Sequence, residues 1–284
     1  VKVALQEAFE KQATVIQNQS IEAKLASDYV DMTIPALGET RGHIHPLSLV
    51  IRDVESSFER MGFEIRTARE LTNELKNFDS VNVPKNHPAR DMQDTFWIEG
   101  SGNVLSTHTS SMQNEIYREH ANPDGSLKKP IRIAIPGRVF RNEDIDATHE
   151  NTFYQVEGIM VGEGVSFANM KYTIRTMLSD IARKEVEIRL RPSYYPFVEP
   201  GADVDFSCPF CDGVGCKICK KTGWIEFMGC GMIHPNVLRD GGIDPTRYTG
   251  FAFGFGLNRL AMIRYEIPDM RYFQNPNIEF LGQF

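Results

Sequence analysis

The chain has 284 residues, of which 41% are hydrophobic and 24% charged, a composition typical of a globular protein with a substantial core. A formal net charge of -7 provides no overall basic field for nucleic acid, so such a partner needs a local patch or another subunit. No apolar run approaches the roughly 18 residues that span a bilayer, and no signal-peptide pattern is present, so no membrane partner is expected.

The N-terminal segment differs in composition from the rest. Residues 1–27 are rich in Ala, Gln, Lys and Glu with sparse apolar residues, which predicts a mostly solvated helix such as the end of a coiled coil. A proline and two glycines make residues 31–42 a predicted linker. We therefore predict a helical arm over residues 1–30 and a second domain over residues 31–284. Because the first residue is valine rather than methionine, we expect a segment upstream of it.

The second domain alternates helical and strand patterns. Pro46 occupies a favourable first helical position, apolar residues follow at helical spacing, and Gly62 ends the helix. Strands are predicted at residues 131–135 and 156–161, with a charged loop between them. An amphipathic helix, a half-buried strand and a strand turning through glycines into a helix follow at residues 167–181, 186–191 and 250–265. The predicted fold class is α+β, with an antiparallel sheet and flanking helices.

The stretch GRVFRNEDIDATHENTFYQVEG at residues 137–158 predicts a hairpin with a polar site. Gln155 and Glu157 share one face of their strand because side chains alternate with a period of two, and Arg141 can meet them there. An arginine beside a carboxylate and an amide can hold a phosphate, while the acceptors bind an ammonium or ribose group. The alternative is a surface hairpin with an ordinary ion pair.

The stretch GFGLNR at residues 254–259 is a poor match to a dinucleotide fingerprint because its third glycine is replaced by Arg259. Gly254 and Gly256 allow close approach of a ligand to the strand, and Arg259 opens a helix where a phosphate can sit. Tight packing at a strand–helix turn explains the glycines equally well.

Two further stretches suggest a small-molecule pocket. His108, Ser110 and Gln113 are close in sequence, but no GxSxG nucleophile motif accompanies them, so ligand binding is favoured over hydrolysis. Tyr195 and Phe197 lie in a proline-rich loop that can line a pocket for an apolar group, or else cover the core.

These stretches, in this order, resemble the α-subunit family of bacterial phenylalanyl-tRNA synthetase, a class II aminoacyl-tRNA synthetase. The resemblance runs from about residue 30 to Phe284 and also includes HPLSLVIRDVESSFERMGFEI, HPARDMQDTFWIE, RPSYYPFVEPGADVDFSC and GCGMIHPNVL. It implies a catalytic domain over residues 31–284, with the active site on the face of an antiparallel sheet. The N-terminal helix would belong to an arm that binds tRNA. The implied partners are a β subunit in an (αβ)₂ heterotetramer, tRNA(Phe) and L-phenylalanine, with ATP and Mg²⁺.

The resemblance also implies roles for individual residues. Arg141 would bind the α-phosphate of ATP, Glu143 the adenine amino group and Arg259 the γ-phosphate, and the two arginines are the predicted catalytic residues. The residues expected to bind phenylalanine are His108, Ser110, Gln113, Gln155, Glu157, Tyr195, Phe197, Val198 and Ala252. The chain departs from the common family pattern at Arg69, Ser111, Tyr154, Tyr195 and Asn258.

Three other functions remain alternatives. A paralogue could activate a different amino acid, and a catalytically inactive synthetase-like protein could bind an amino acid for regulation. Arg141, Glu143 and Arg259 argue against the latter, because a sensor needs no ATP site. A redox or zinc-delivery module would leave most of the synthetase-like sequence unexplained.

Four of the five cysteines lie in CPFCDGVGCKIC at residues 208–219, within a predicted Cys-rich insertion at residues 207–223. Their clustering indicates metal ligation in a reducing compartment, so the cytoplasm is the expected location. The CxxC-x₄-CxxC spacing supports a structural zinc ion on Cys208, Cys211, Cys216 and Cys219, although four intervening residues make the wrapping tight. The alternative is four reduced thiols in a glycine-rich hairpin. Cys230 is expected to pack beside the substrate pocket.

Overall fold

A computed structural model of the chain describes residues 2–27, 33, 42–86 and 95–284. Most of the predicted linker and the beginning of HPARDMQDTFWIE lie outside the described residues. The chain divides into two compact units, residues 1–42 and 43–284. In the first unit, helix α1 (Lys2–Ser27) is exposed along its whole length, as its sparse apolar pattern predicts. The predicted domain boundary near residue 30 stays a prediction.

Helix α2 (Pro46–Arg60) begins the second unit and confirms the helix predicted from Pro46. His45 caps its N-terminus, since the Nδ1 atom accepts a hydrogen bond from the Leu47 amide at 3.2 Å. Gly62 follows the last turn with a φ of +79°, a conformation that glycine adopts without a steric penalty. The apolar face of α2 is buried against the sheet, which explains its helical hydrophobic pattern.

A seven-stranded sheet forms the centre of the second unit. Its spatial order is β1-β5-β6-β10-β9-β8-β7, and all pairings are antiparallel except the parallel pair of β1 with β5. The strands are β1 (Glu64–Ile65), β5 (Ile131–Phe140), β6 (Thr152–Gly162), β7 (Ile188–Pro192), β8 (Val198–Ser207), β9 (Trp224–Ile233) and β10 (Thr249–Gly256). The predicted fold class is confirmed.

The strand predictions are correct in position but inexact at their ends. Strands β5 and β6 pair without a break from Ile131↔Val161 to Phe140↔Thr152, so the predicted charged loop joins them. The strand predicted from residue 186 begins at Ile188 instead. The Val186 amide donates to the Ser179 hydroxyl at 3.1 Å, which takes it out of the strand ladder.

A second sheet of three short strands was not predicted. It has the order β2-β4-β3, from β2 (Leu71–Asn73), β3 (Trp97–Ile98) and β4 (Asn103–Leu105). Helix α3 (Glu74–Asn77) and a 3₁₀ turn (Asp79–Val81) follow β2. Strands of two or three residues are too short to show an alternating pattern, so the sequence carries no signal for them.

The large sheet separates two apolar layers. Helices α2, α5 (Phe167–Ala182) and α7 (Leu257–Tyr265) lie in the first layer, which also receives Phe251 and Phe253 of β10. Helices α4 (Gln113–His120) and α6 (Pro235–Asp240) lie in the second layer, where Ala252 points because side chains alternate along β10. The C-terminus carries a 3₁₀ turn (Met270–Phe273) and helix α8 (Ile278–Leu281). None of the helices in the described ranges is long and apolar enough to cross a membrane.

Candidate active site

A cavity of about 800 Å³ opens on the α4/α6 side of the large sheet. Its size lies within the range usual for small-ligand sites, roughly 300–1,000 Å³. Nine of the residues predicted to bind a substrate line it together: His108, Ser110, Arg141, Gln155, Glu157, Tyr195, Phe197, Val198 and Ala252. They are up to 144 positions apart in the sequence, and strands β6, β8 and β10 carry four of them, Gln155, Glu157, Val198 and Ala252, on one face of the sheet.

A buried carboxylate lies at the centre of the polar part of the cavity. Glu157 accepts hydrogen bonds at Oε1 from the Ser110 hydroxyl at 2.9 Å and from Gln113 Nε2 at 2.6 Å. The hydroxyl of Tyr117 in turn donates to Gln113 Oε1 at 3.1 Å. Burial raises the pKa of Glu157 to about 7, although the donors from Ser110 and Gln113 act in the opposite direction. Its second oxygen, Oε2, has no hydrogen-bond partner within the part of the chain that the structure describes.

Two other polar atoms of the lining are buried and unpaired among the described residues, namely Gln155 Oε1 and His108 Nδ1. Buried polar atoms in native proteins nearly always have partners, so unpaired ones around a cavity indicate a ligand. The two free acceptor oxygens of Gln155 and Glu157 suit a ligand with N–H donors, such as an ammonium group. Burial and the nearby Arg141 charge lower the pKa of His108 to about 4, so its ring is neutral at physiological pH.

A half-buried cation lies in the same cavity. Arg141 follows the last residue of β5, and its Nε donates to the Thr107 carbonyl oxygen at 3.1 Å. Its guanidinium lies over the Phe153 ring at 5.1 Å from the centroid. Burial lowers the pKa of Arg141 and the Glu143 carboxylate raises it, but an arginine stays charged at any physiological pH. The cavity therefore presents a fixed positive charge and a separate set of acceptors.

An aromatic group completes the lining. The rings of Tyr195 and Phe197 are stacked with their centroids 5.8 Å apart. The Tyr195 hydroxyl donates to Asp203 Oδ1 at 2.6 Å, and burial together with this carboxylate raises the pKa of Tyr195 to about 12. Gly229 makes room for this arrangement, since a Cβ there would lie 2.8 Å from the Tyr195 hydroxyl oxygen. An apolar or aromatic side chain fits against these rings.

The comparisons with known proteins agree with this geometry. Residues 29–284 match the family model of the tRNA synthetases class II core domain (F). The phenylalanine–tRNA ligase α subunit of Leptospira biflexa is 47% identical over 280 residues, which cover 99% of this chain and 80% of that protein. Those of Ectopseudomonas mendocina and Francisella tularensis subsp. novicida are 44% and 43% identical over 283 residues, covering 100% of this chain and 81% of each protein. The chain belongs to the phenylalanine–tRNA ligase α-subunit family.

Three of the site residues carried over from this α-subunit family do not line the cavity. Gln113 lies behind Glu157 and contacts it, as described above. Glu143 is half-buried in the loop between β5 and β6, near enough to Arg141 to affect its pKa. Arg259 is exposed in the first turn of α7, which directly follows Gly256, the partner of Gln155 in the sheet. The predicted roles of all three stay predictions.

The positions at which we predict departures from the α-subunit pattern each have a local contact. The Tyr154 amide donates to the buried Asn258 Oδ1 at 2.7 Å, so one bond joins two of the departing positions. Arg69 forms an ion pair with Glu115 at 2.5 Å. Ser111 Oγ lies 3.5 Å from Ser106 Oγ, and both side chains are buried. The extra hydroxyl of Tyr195 contacts Asp203 and thus has its partner in β8.

Sequence reasoning missed several residues that build this α-subunit cavity. Val83 and Gly229 line it, and Asp203, Tyr117 and Asn77 contact its lining or the adjoining backbone. Tyr117 had a signal, because it lies four residues after Gln113 and therefore on the same face of α4. Nothing in the local pattern distinguishes the others.

The four clustered cysteines form a separate site in this family member. Their sulfur atoms all lie within 4.8 Å of one another, and three of the pairs, 208–216, 211–219 and 216–219, are 3.7, 3.8 and 3.7 Å apart. Backbone amides of Cys216 and Gly223 donate to the Cys219 sulfur and lower the pKa of this thiol to about 6, since they stabilise the thiolate. The loop accommodates four sulfurs in one cluster, so the tight wrapping does not prevent a shared ligand.

Proposed function

We propose that this chain is the catalytic subunit of a phenylalanine–tRNA ligase. It activates L-phenylalanine with ATP to give phenylalanyl-adenylate, then transfers the phenylalanyl group to tRNA(Phe) for protein synthesis. The observation that carries the proposal is one cavity that combines the Arg141 cation, the unpaired acceptors of Gln155 and Glu157, and an aromatic lining. These are complementary to the phosphate, the ammonium group and the ring.

The amino acid is held at both ends. Its ammonium group donates to the free oxygens of Glu157 and Gln155, with Ser110 orienting the carboxylate of Glu157. Its ring packs against Tyr195 and Phe197, and the small Ala252 on β10 leaves space for it. One methylene in such a pocket changes discrimination by about 1–3 kcal/mol, so filling the pocket separates phenylalanine from smaller apolar amino acids.

The chemical step needs no protein nucleophile. A carboxylate oxygen of phenylalanine attacks the α-phosphorus of ATP in line, the new P–O bond forms as the bond to pyrophosphate breaks, and pyrophosphate leaves. Arg141, held by the Thr107 carbonyl, neutralises charge on the α-phosphate, and catalysis is mostly positioning and electrostatic stabilisation. The substrate is the Mg²⁺ complex of ATP, and the metal supplies further charge neutralisation on the phosphates.

Arg259 and Glu143 complete the ATP site in this proposal. Arg259 has an exposed side chain at the start of α7, where it can reach the γ-phosphate of an ATP that extends out of the cavity. Glu143 accepts from the adenine amino group. Afterwards the terminal ribose hydroxyl of tRNA attacks the carbonyl carbon of the adenylate, and AMP leaves. The active assembly is an (αβ)₂ heterotetramer with a β subunit, and its place of action is the cytoplasm.

The test is pyrophosphate exchange by the complex of this chain with its β subunit. Exchange that depends on phenylalanine, at least about 100-fold more efficiently than on other amino acids, supports the proposal. Exchange that depends on a different amino acid would identify a paralogue. A complex that binds phenylalanine without any exchange would identify an inactive amino-acid-binding regulator.

We also propose that Cys208, Cys211, Cys216 and Cys219 hold a structural zinc ion. A tetrahedron with Zn–S bonds of about 2.3 Å has edges of about 3.8 Å. Three of the six sulfur pairs have this spacing, and all six lie within 4.8 Å. Four thiolates leave no position open for a substrate, so the ion has no part in the chemical step. Metal analysis of the purified complex tests this, and one zinc ion per chain is expected. Metal-free protein with four titratable thiols and unchanged stability would contradict it.

A further inference from the structure

A fully buried amide lies outside the cavity and has no role in the reaction described above. Asn77 is the last residue of α3 and is 0% exposed. Its Nδ2 donates to the Thr107 hydroxyl at 2.9 Å, and its Oδ1 accepts from the Thr107 amide at 3.3 Å. Both ends of the amide thus bind one residue 30 positions later. Burying an amide is costly unless both ends are paired, so this two-point contact fixes Thr107 in place.

Thr107 is in turn the residue that orients the cation. Its carbonyl oxygen accepts from Arg141 Nε at 3.1 Å. The preceding residue, Ser106, accepts from the Phe140 amide at 2.8 Å, so the segment runs beside the end of β5 from which Arg141 projects. His108, the next residue, lines the cavity. The Asn77 side chain therefore supports the contact between Thr107 and Arg141.

We propose that Asn77 is a positioning residue for the phosphate-binding arginine, and that it acts through Thr107. The inference rests on the proposed function, because it assumes that Arg141 contacts the α-phosphate. A guanidinium with one Nε contact to a fixed carbonyl keeps its remaining N–H groups directed at the substrate. If Thr107 shifts, Arg141 shifts with it, and a displacement of about 1 Å can reduce the rate of a positioned reaction by about 100-fold.

The substitution Asn77→Ala should have different effects on kcat and on the KM for phenylalanine. An Asn77→Ala substitution removes the support of Thr107 but does not change His108 or any other side chain that lines the cavity. The acceptors of Glu157 and Gln155 are also unaffected. We therefore expect kcat of pyrophosphate exchange to fall by about 10-fold to 100-fold. The KM for phenylalanine should stay within about 2-fold, because that group binds to residues which the substitution does not touch.

The experiment uses the complex with the β subunit and compares Asn77→Ala, Thr107→Val, Thr107→Ser and the double variant Asn77→Ala/Thr107→Val. Thr107→Val removes the hydroxyl that accepts from Asn77 and keeps a similar side-chain volume. Thr107→Ser keeps this hydroxyl, so its activity is expected to match that of the wild type. Asn77→Ala removes both contacts with Thr107, and Thr107→Val removes one of the same two, so the losses in the double variant should be less than additive. Ser80→Ala is the matched control, since it removes the hydrogen bond of a buried side chain to the Lys76 carbonyl of α3 and does not line the cavity.

The outcomes are distinct. A fall in kcat for Asn77→Ala and Thr107→Val, with Ser80→Ala unchanged and the double variant non-additive, supports the proposal. Unchanged kcat in folded Asn77→Ala, additive losses, or a parallel fall in the Ser80→Ala control would overturn it. If Asn77→Ala does not fold, Thr107→Val against Thr107→Ser decides alone. Wild-type complex without phenylalanine-dependent exchange would instead refute the proposed function.

Discussion

Glu157→Gln should lower activity and raise stability at the same time. The substitution keeps the shape of the side chain and an acceptor for Ser110 and Gln113, but removes the charge that meets the ammonium group. Removing one partner of a buried ion pair costs about 3–5 kcal/mol, so kcat/KM for phenylalanine should fall by at least about 100-fold. The KM for ATP should change little, because Arg141 is untouched.

The stability change has the opposite sign because the carboxylate is buried before substrate binds. Burial raises the pKa of Glu157 from 4.5 to about 7. Between pH 4.5 and pH 7, Glu157 therefore keeps its proton in the substrate-free folded protein but has lost it in the unfolded chain. Its stability therefore decreases as the pH rises through this window, by about 3 kcal/mol in total. Glu157→Gln has no such loss, so at pH 8 it should unfold a few degrees higher than the wild type.

The assays are pyrophosphate exchange and thermal unfolding of the substrate-free complex, each from pH 5.5 to 8.5. For the wild type, kcat/KM for phenylalanine should fall as the pH drops below about 7, since the protonated carboxyl no longer attracts the ammonium group. Glu163→Gln is the matched control, because this exposed glutamate lies just beyond β6 and carries the same charge. A Glu157→Gln variant with wild-type kcat/KM, or with the wild-type pH profile, would refute the reasoning.

Three other substitutions test the remaining parts of the molecule. Tyr195→Phe should keep phenylalanine activation within about 3-fold but lower the stability by about 1–3 kcal/mol in urea unfolding, because the charged Asp203 loses a half-buried donor. Ala252→Val should raise the KM for phenylalanine about 10-fold in pyrophosphate exchange by filling space needed by the ring, and an unchanged KM would place the ring elsewhere. Cys208→Ser combined with Cys211→Ser should lower the melting temperature and the zinc content, while adenylate formation in the folded protein is retained. Loss of adenylate formation without loss of fold would contradict a structural role.

The sequence predicts the elements that carry a long periodic pattern. Helix α2, the β5–β6 pair and helix α5 each extend over ten residues or more, so their apolar positions define the period clearly. The motif residues on β6, β8 and β10 were also identified, because each stretch carries several polar or aromatic side chains in a short span. Their assembly in one cavity depends on the strand order of the sheet, which local patterns do not encode.

The supporting contacts were outside the reach of sequence reasoning. Asn77 contacts Thr107 across 30 positions, and no pattern within either segment indicates the other. Asp203 alternates with apolar neighbours on β8, so it resembles an ordinary solvent-facing strand residue until the Tyr195 hydroxyl is located. Both are polar side chains whose role is set by one distant partner. Such partners are determined by packing rather than by periodicity or composition.

The β8–β9 hairpin connects the cysteine site with the substrate cavity. The cavity is lined by Val198 at one end of β8 and by Gly229 and Cys230 on β9. Asp203 of β8 pairs with Gly229 in the sheet and accepts a hydrogen bond from the Tyr195 hydroxyl. At the other end, Ser207↔Trp224 is the last pair before the cysteine loop. A slip of one residue would turn Asp203 to the opposite face of the sheet and remove the partner of Tyr195, because side chains alternate along a strand. A metal ion that joins the two strands at the loop would oppose such a slip, so the proposed zinc site would preserve the shape of the proposed phenylalanine pocket without taking part in the reaction.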